Sequence, residues 1–127
     1  MARFELAKQY YLKRNVLEAE ALFNAVYKEL PDDTLTLFFY TQVLFNLGKK
    51  DNAMALNNEL MQLVPATYYP YYNYGIMYHF GGETEKSIWH LERVLQLGYE
   101  DDQLKNILLN FYLSNGMEEK ARQLGVE

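Results

Sequence analysis

The chain has 127 residues, half of them hydrophobic and 23% charged, with 12 Tyr, 7 Phe and 1 Trp. That composition fits one folded domain and excludes a disordered, charge-dominated chain. A net charge of −5 argues against a nucleic-acid phosphate binder, and the lack of cysteine excludes disulfides, thiolate metal sites and a cysteine nucleophile.

From the N-terminus, charges at Arg3, Glu5 and Lys8 interrupt any leader-like apolar run. Further on, no stretch nears the ~18 apolar residues that a membrane span requires. A cytoplasmic protein that does not insert into membranes is the expectation. Residues Leu6, Tyr10, Val16, Ala19, Phe23 and Val26 advance in three- and four-residue steps, which predicts two helices in residues 1–33. A break near Asn15 splits them, and Asn tolerates the left-handed backbone such a break needs. Pro31-Asp32-Asp33 ends the pair, with Asp33 placed to cap the next helix. Residues 34–67 repeat the pattern, broken at Gly48 and closed by Pro65-Ala66-Thr67. Residues 68–101 repeat it again, with Pro70 in a first helical turn, Gly82 at the break and Tyr99-Glu100-Asp101 at the close. Residues 102–127 form a shorter fourth unit, opening at Asp102 as a second candidate cap and broken at Gly116. Its first helix carries Leu104, Ile107, Leu108, Leu109, Phe111 and Tyr112, apolar nearly all round. The reading is helix A, turn, helix B, turn, four times over, the last unit partial or capping.

Several columns share a 34-residue period: Gly48, Gly82 and Gly116; Ala19, Ala53, Ser87 and Ala121; Leu6, Tyr40, Tyr74 and Leu108; Tyr10, Leu44, Tyr78 and Tyr112. In this the chain resembles the tetratricopeptide repeat (TPR) family over its whole length. The resemblance implies an all-α, right-handed solenoid of antiparallel helix pairs, forming a single domain. Its small-residue slots, where helices A and B touch, fall on Ala7 with Ala19, Thr41 with Ala53, Gly75 with Ser87, and Leu109 with Ala121. Leu109 is too large for its slot, Asn57 is polar in an apolar column, and Tyr99 stands where proline is expected.

Catalysis has little support in the residues. His79 and His90 fall on opposite helices of the third unit without metal-ligand spacing, and no glycine-rich phosphate loop is present. Ser87 is explained as the small residue of its column, and Ser114 has no histidine in its unit. Glu100-Asp101-Asp102 lacks the alternating ligands and central glycine of a calcium loop, and reads as a loop with a helix cap. A non-enzyme with no cofactor and no metal is expected.

The resemblance also implies a concave face lined by the A helices. Its positions map to Met1, Phe4, Glu5, Lys8, Tyr11 and Leu12; to Leu35, Phe38, Phe39, Gln42, Phe45 and Asn46; to Tyr69, Tyr72, Asn73, Ile76, His79 and Phe80; and to Gln103, Asn106, Ile107, Asn110, Leu113 and Ser114. Eight of these 24 positions are aromatic and only two are charged. A free surface is normally charged, so the pattern points either to a ligand groove or to A-helix core. The candidate groove residues are Phe4, Lys8, Tyr11, Phe38, Phe39, Gln42, Phe45, Tyr69, Tyr72, Asn73, Ile76, Phe80 and Asn106. The family's carboxylate clamp would fall on Phe4, Lys8, Phe39, Tyr69 and Asn73, or on Phe38, Gln42, Asn73, Gln103 and Ile107. Neither register supplies its cationic fork. The expected function is a protein-interaction module that holds an apolar peptide or amphipathic helix, acting as adaptor, scaffold or small chaperone. The alternative is self-assembly as a homo-oligomer or within a longer array, through Leu104, Leu108 and Phe111.

Overall fold

A computed structural model describes residues 2–125, with the side chain of Ala2 excepted. The mapped groove position Met1 lies outside the described residues. The chain forms eight helices among those residues: α1 (Ala2–Leu12), α2 (Val16–Glu29), α3 (Thr34–Asn46), α4 (Lys50–Leu63), α5 (Tyr69–Phe80), α6 (Thr84–Gln96), α7 (Asp102–Ser114) and α8 (Glu118–Gln123). They pack as consecutive pairs, each second helix resting on the first helix of the next pair. α3 touches both α1 and α5, so these A helices form one layer and the B helices the other. This is the solenoid that the period implied.

Each turn within a pair is the same backbone device. The amide of the residue entering helix B donates to the carbonyl five residues earlier: Asn15 to Tyr10 at 2.8 Å, Lys49 to Leu44 at 2.9 Å, Glu83 to Tyr78 at 2.9 Å and Met117 to Tyr112 at 2.8 Å. The bond requires a left-handed residue just before the donor, as in a Schellman helix end. Gly48, Gly82 and Gly116 fill that place with φ of 80°, 80° and 69°. In the first turn it is Arg14, φ 66°, and not Asn15, whose φ is −89°. The column fixes the backbone, so the residue one position before the expected asparagine takes the strain.

The capping expectation divides. The Asp33 carboxylate accepts from the Thr36 amide at 3.0 Å and from its hydroxyl at 2.6 Å, satisfying donors that α3 leaves free. At α7 the cap is Asp101, which accepts from the Leu104 amide at 2.9 Å, while Asp102 is already the first helical residue.

The small slots hold the first three pairs close. Ala7, Ala19, Thr41, Ala53 and Ser87 are fully buried, and the Ser87 hydroxyl donates to the Gly75 carbonyl at 2.8 Å. A Cβ on Gly75 would lie 2.4 Å from the Leu91 methyl Cδ2, so the two helices have no room for one. Leu109 escapes its slot: it is half-buried against the C-terminal cluster, opposite a helix of only 6 residues. Tyr99 does by stacking what proline would do by stiffness. Its ring lies parallel to Tyr68 with centroids 4.0 Å apart, and its hydroxyl donates to the capping Asp101 at 3.1 Å.

The core falls into two clusters. One joins Phe4, Phe23, Leu37, Tyr40, Leu60 and Met77 across α1 to α5, and the other joins Ile88, Leu91, Val94, Leu104, Leu108 and Tyr112 across α6 and α7. Tyr72 packs against both. Leu104 and Leu108, expected on a self-association surface, are fully buried in the chain's own core. α7 buries one stripe, Leu104, Leu108 and Tyr112, and leaves Asn106, Asn110 and Leu113 exposed; of the three candidates only Phe111 is half-exposed.

Replacing Arg14 with Gly relieves the left-handed strain and should stabilise by about 0.5–1 kcal/mol, raising Tm by roughly 2–4 °C in a thermal melt. Replacing Gly75 with Ala drives a methyl group into buried Leu91 and should cost about 1–3 kcal/mol, read as a lower denaturant midpoint.

Candidate functional site

The A-helix layer encloses a cleft of about 180 Å³ between α1, α3, α5 and the start of α7. Tyr11 comes from α1, and Gln42, Phe45 and Asn46 from α3. Tyr72, Asn73, Ile76 and Phe80 come from α5, and Gln103 from α7. Helical spacing brings them together: Gln42, Phe45 and Asn46 lie three and four apart on one face of α3, as do Asn73, Ile76 and Phe80 on α5. Thr41 and Met77 complete the lining.

A chain of amides runs under this cleft. Asn46 donates to the Tyr11 hydroxyl at 3.3 Å, and Tyr11 donates to Gln42 Oε1 at 2.9 Å. Gln42 Nε2 donates to Asn73 Oδ1 at 3.1 Å. Asn73 Nδ2 donates both to the Phe38 carbonyl and to Asn57 Oδ1, each at 3.1 Å, and Asn57 Nδ2 donates to the Pro70 carbonyl at 2.9 Å. Asn57 and Asn73 are 0% and 1% exposed, so each would carry a heavy desolvation cost without the other. This accounts for the polar residue in an apolar column: Asn57 is the buried end of a ladder crossing three pairs. It also fixes the amide orientations, because only one choice pairs every donor with an acceptor.

The cleft is neutral. Among the described residues lining it there is no charged side chain. Burial is the first cause raising the Tyr11 hydroxyl above its ordinary range. The same holds for Tyr72, which also donates to the Asp101 carboxylate at 2.9 Å. Both stay protonated at neutral pH. Among the described residues, the Thr41 hydroxyl is the buried side-chain polar atom with no partner. Phe80, 63% exposed, and half-buried Phe45 are apolar contributions at the opening.

Seven of the thirteen expected groove residues line this cleft: Tyr11, Gln42, Phe45, Tyr72, Asn73, Ile76 and Phe80. Phe4 and Phe38 are buried, and Phe4 packs its ring on Phe23 and Phe39. Half-buried Phe39 belongs to the same ring cluster, against Phe4, Tyr11, Phe23 and Phe38, with Lys8 Nζ 5.7 Å from its centroid. Tyr69 lies 4.8 Å from Phe38, and Asn106 is exposed on α7 away from the cleft. So part of the aromatic set is core and part is surface. Thr41 was assigned only to a small slot, yet it serves slot and cleft together; Asn57 carried a signal, its polarity in an apolar column.

The remaining candidates sit apart. His79 is exposed beside Phe80. His90 packs among Tyr71, Tyr74, Tyr78 and Trp89, its ring held by the Lys86 carbonyl at 2.8 Å, and burial lowers its pKa. In the acidic run, Glu100 pairs with Lys105 at 2.5 Å and Asp101 serves as cap and tyrosine acceptor.

Comparison with known proteins places the architecture. No family model matches the chain, and no curated protein matches it. Among solved structures, a chain of Naa15/Naa10 bound to HypK-THB aligns with a TM-score of 0.79 and 20% identity, covering 97% of this chain and 19% of that one. The first TPR of Spaghetti (RPAP3), bound to the HSP90 peptide SRMEEVD, aligns at 0.75 and 18%, covering 91% of each chain. MamA 41-end from Desulfovibrio magneticus RS-1 aligns at 0.72 and 17%, covering 96% of this chain and 69% of that one. The chain therefore spans about a fifth of the Naa15/Naa10 chain. Period, turns and these neighbours together define the tetratricopeptide-repeat fold.

Removing one end of the buried ladder by Asn57→Ala should cost about 2–3 kcal/mol in denaturant unfolding, because Asn73 and the Pro70 carbonyl lose a partner. A double-mutant cycle with Asn73→Ala should return a coupling of about 1 kcal/mol or more, whereas independent side chains would give additive losses.

Proposed function

We propose that the chain is a protein-interaction module that holds a neutral, apolar stretch of a peptide in the A-helix cleft. The observation that carries this is the cleft itself: Phe45, Ile76 and Phe80 offer apolar contact, the Tyr11, Gln42 and Asn46 groups offer neutral hydrogen bonding, and no charge lines it. A peptide presents the same combination, apolar side chains between neutral amides. The neighbour that carries an acidic peptide supports peptide binding by this fold. Of the clamp positions, those that line the cleft are Gln42 and Asn73, already bonded to each other, and Gln103; the single cation among the two registers is Lys8, outside the cleft and over the Phe39 ring. Preference for a neutral ligand follows, since an unpaired carboxylate would lose its water without gaining a cation.

We read the role as adaptor, scaffold or small chaperone in the cytoplasm, with no nucleic-acid partner. We also read it as non-catalytic, because the cleft lining offers hydroxyls and amides but no acid, histidine or lysine to move a proton.

The test uses defined peptides and fluorescence anisotropy. Capped neutral peptides enriched from a random library on the immobilised chain should bind, while SRMEEVD should not bind at 1 mM. The double variant Phe45→Ala/Phe80→Ala should weaken the selected peptides at least tenfold while leaving helix content unchanged. Tight binding of SRMEEVD, or selected peptides that ignore the double variant, would overturn the assignment.

A further inference from the structure

The volume of the cleft limits what can enter it. Pockets for drug-sized ligands run to about 300–1,000 Å³, whereas this one offers about 180 Å³. A cavity of about 150 Å³ is enough for a benzene ring. One six-membered ring therefore fills the cleft, and a turn of helix or two adjacent side chains do not enter it. Its walls come from α1, α3, α5 and α7, so its shape is set within the described residues.

Depth sorts the lining. Thr41, Asn73 and Met77 are buried at the floor, Phe45, Tyr72 and Ile76 are half-buried, and Asn46, Phe80 and Gln103 are exposed at the rim. The amides at the floor are already paired. Asn73 gives its amide hydrogens to Phe38 and Asn57 and accepts from Gln42, which in turn accepts from Tyr11. Thr41 differs. It is 0% exposed, and its hydroxyl is shut off from solvent with no hydrogen-bond partner. A buried donor left alone is costly and rare. Helix packing does not call for the hydroxyl, because the slot needs only a small side chain and is filled by Ala7 and Gly75 in the neighbouring pairs. A helical threonine holds its hydroxyl in either of two χ1 wells, so the group can be presented to whatever reaches the floor.

We propose that the cleft seats the side chain of one tyrosine of the bound peptide, its ring among Phe45, Ile76 and Met77 and its hydroxyl on Thr41. Each part of that side chain meets a matching part of the site. The flat body fills the volume, Phe45 and the Met77 sulfur favour an aromatic over an aliphatic group, and the phenol oxygen accepts the hydrogen of Thr41. No charge is required, and the lining carries none. The proposal rests on the peptide reading above and narrows it from an apolar stretch to a single anchor.

The test has two arms, so that the failure of either reading is distinguishable. In the first, N-acetyl-tyrosinamide is titrated into the ¹⁵N-labelled chain. Saturable shifts at the Thr41, Phe45 and Ile76 amides are expected, with N-acetyl-phenylalaninamide about fivefold weaker, the worth of one hydrogen bond. Thr41→Val should abolish that preference and raise the unfolding midpoint of the free chain, while Thr41→Ser should keep the preference. In the second arm, the selected peptides should each depend on one tyrosine, and its replacement by Leu should weaken binding at least tenfold. No saturable shift at about 20 mM N-acetyl-tyrosinamide, or a tyrosine preference that survives Thr41→Val, overturns the proposal. So do peptides that bind through Phe45 and Phe80 yet tolerate Tyr→Leu, which leaves the peptide reading standing. Shifts at Thr41 that grow with protein concentration in the absence of a probe also overturn it, because the occupant is then a second copy. Peptides that ignore Phe45→Ala/Phe80→Ala, with N-acetyl-tyrosinamide still shifting Thr41, overturn the peptide reading and uphold the ring site.

Discussion

Two antiparallel helices approach closely only where neither carries bulk at the crossing, and the first three pairs of this chain meet that demand with Ala, Thr, Gly and Ser. Everything else depends on that closeness. Tight pairs leave each helix A with two exposed flanks, which it covers against the preceding and following units. The A helices then lie side by side at a spacing short enough for Tyr11, Gln42 and Asn73 to reach one another directly. A wider pair would put water between those side chains, and the cleft would lose its floor.

The polar groups within this layer are there because helices stacked side by side trap backbone and side-chain atoms away from solvent. The chain answers with neutral partners. Amides meet amides under the cleft, and the Tyr40 hydroxyl meets the Asn24 amide across the first joint. Neutral groups avoid the several-fold larger desolvation cost of buried ions. The ion pairs, such as Lys49 with Glu20 and Lys120 with Glu92, remain at the periphery, where solvent screens them.

The fold was legible in the sequence to the extent that its devices repeat. Glycines 34 residues apart, small residues at the crossings and the Pro-Asp close each have a local physical cause, and the structure contains each of them. What did not repeat was misread. Asn15 was the better left-handed residue by type, yet the hydrogen-bond pattern of the turn dictated Arg14. Leu104 and Leu108 looked like a surface because α7 is rich in apolar residues, although Leu104, Leu108 and Tyr112, four apart, form the one stripe that the chain buries in its own core. The site was legible only in part for a related reason. Phe4, Phe38, Phe45 and Phe80 are one residue type on one kind of helix, and depth alone separates the first two from the last two. Depth depends on neighbouring pairs, which no single helix encodes. The amide ladder left one trace, Asn57 out of place in its column.

The division of the core into two clusters has a consequence for how the molecule comes apart. In a stacked array, cooperativity is the sum of nearest-neighbour couplings, so it is only as uniform as the joints. The amide ladder ties α1, α3, α4 and α5 into one body with the larger cluster. α7 is joined to that body through α6, on which Leu104, Leu108 and Tyr112 pack, and through the Tyr72 hydroxyl on the Asp101 carboxylate, and α8 closes it with 6 residues. The joint before α7 is not crossed by the amide ladder, and loss of that joint would free Gln103 from Tyr72 while the ladder holds the rest of the cleft in shape.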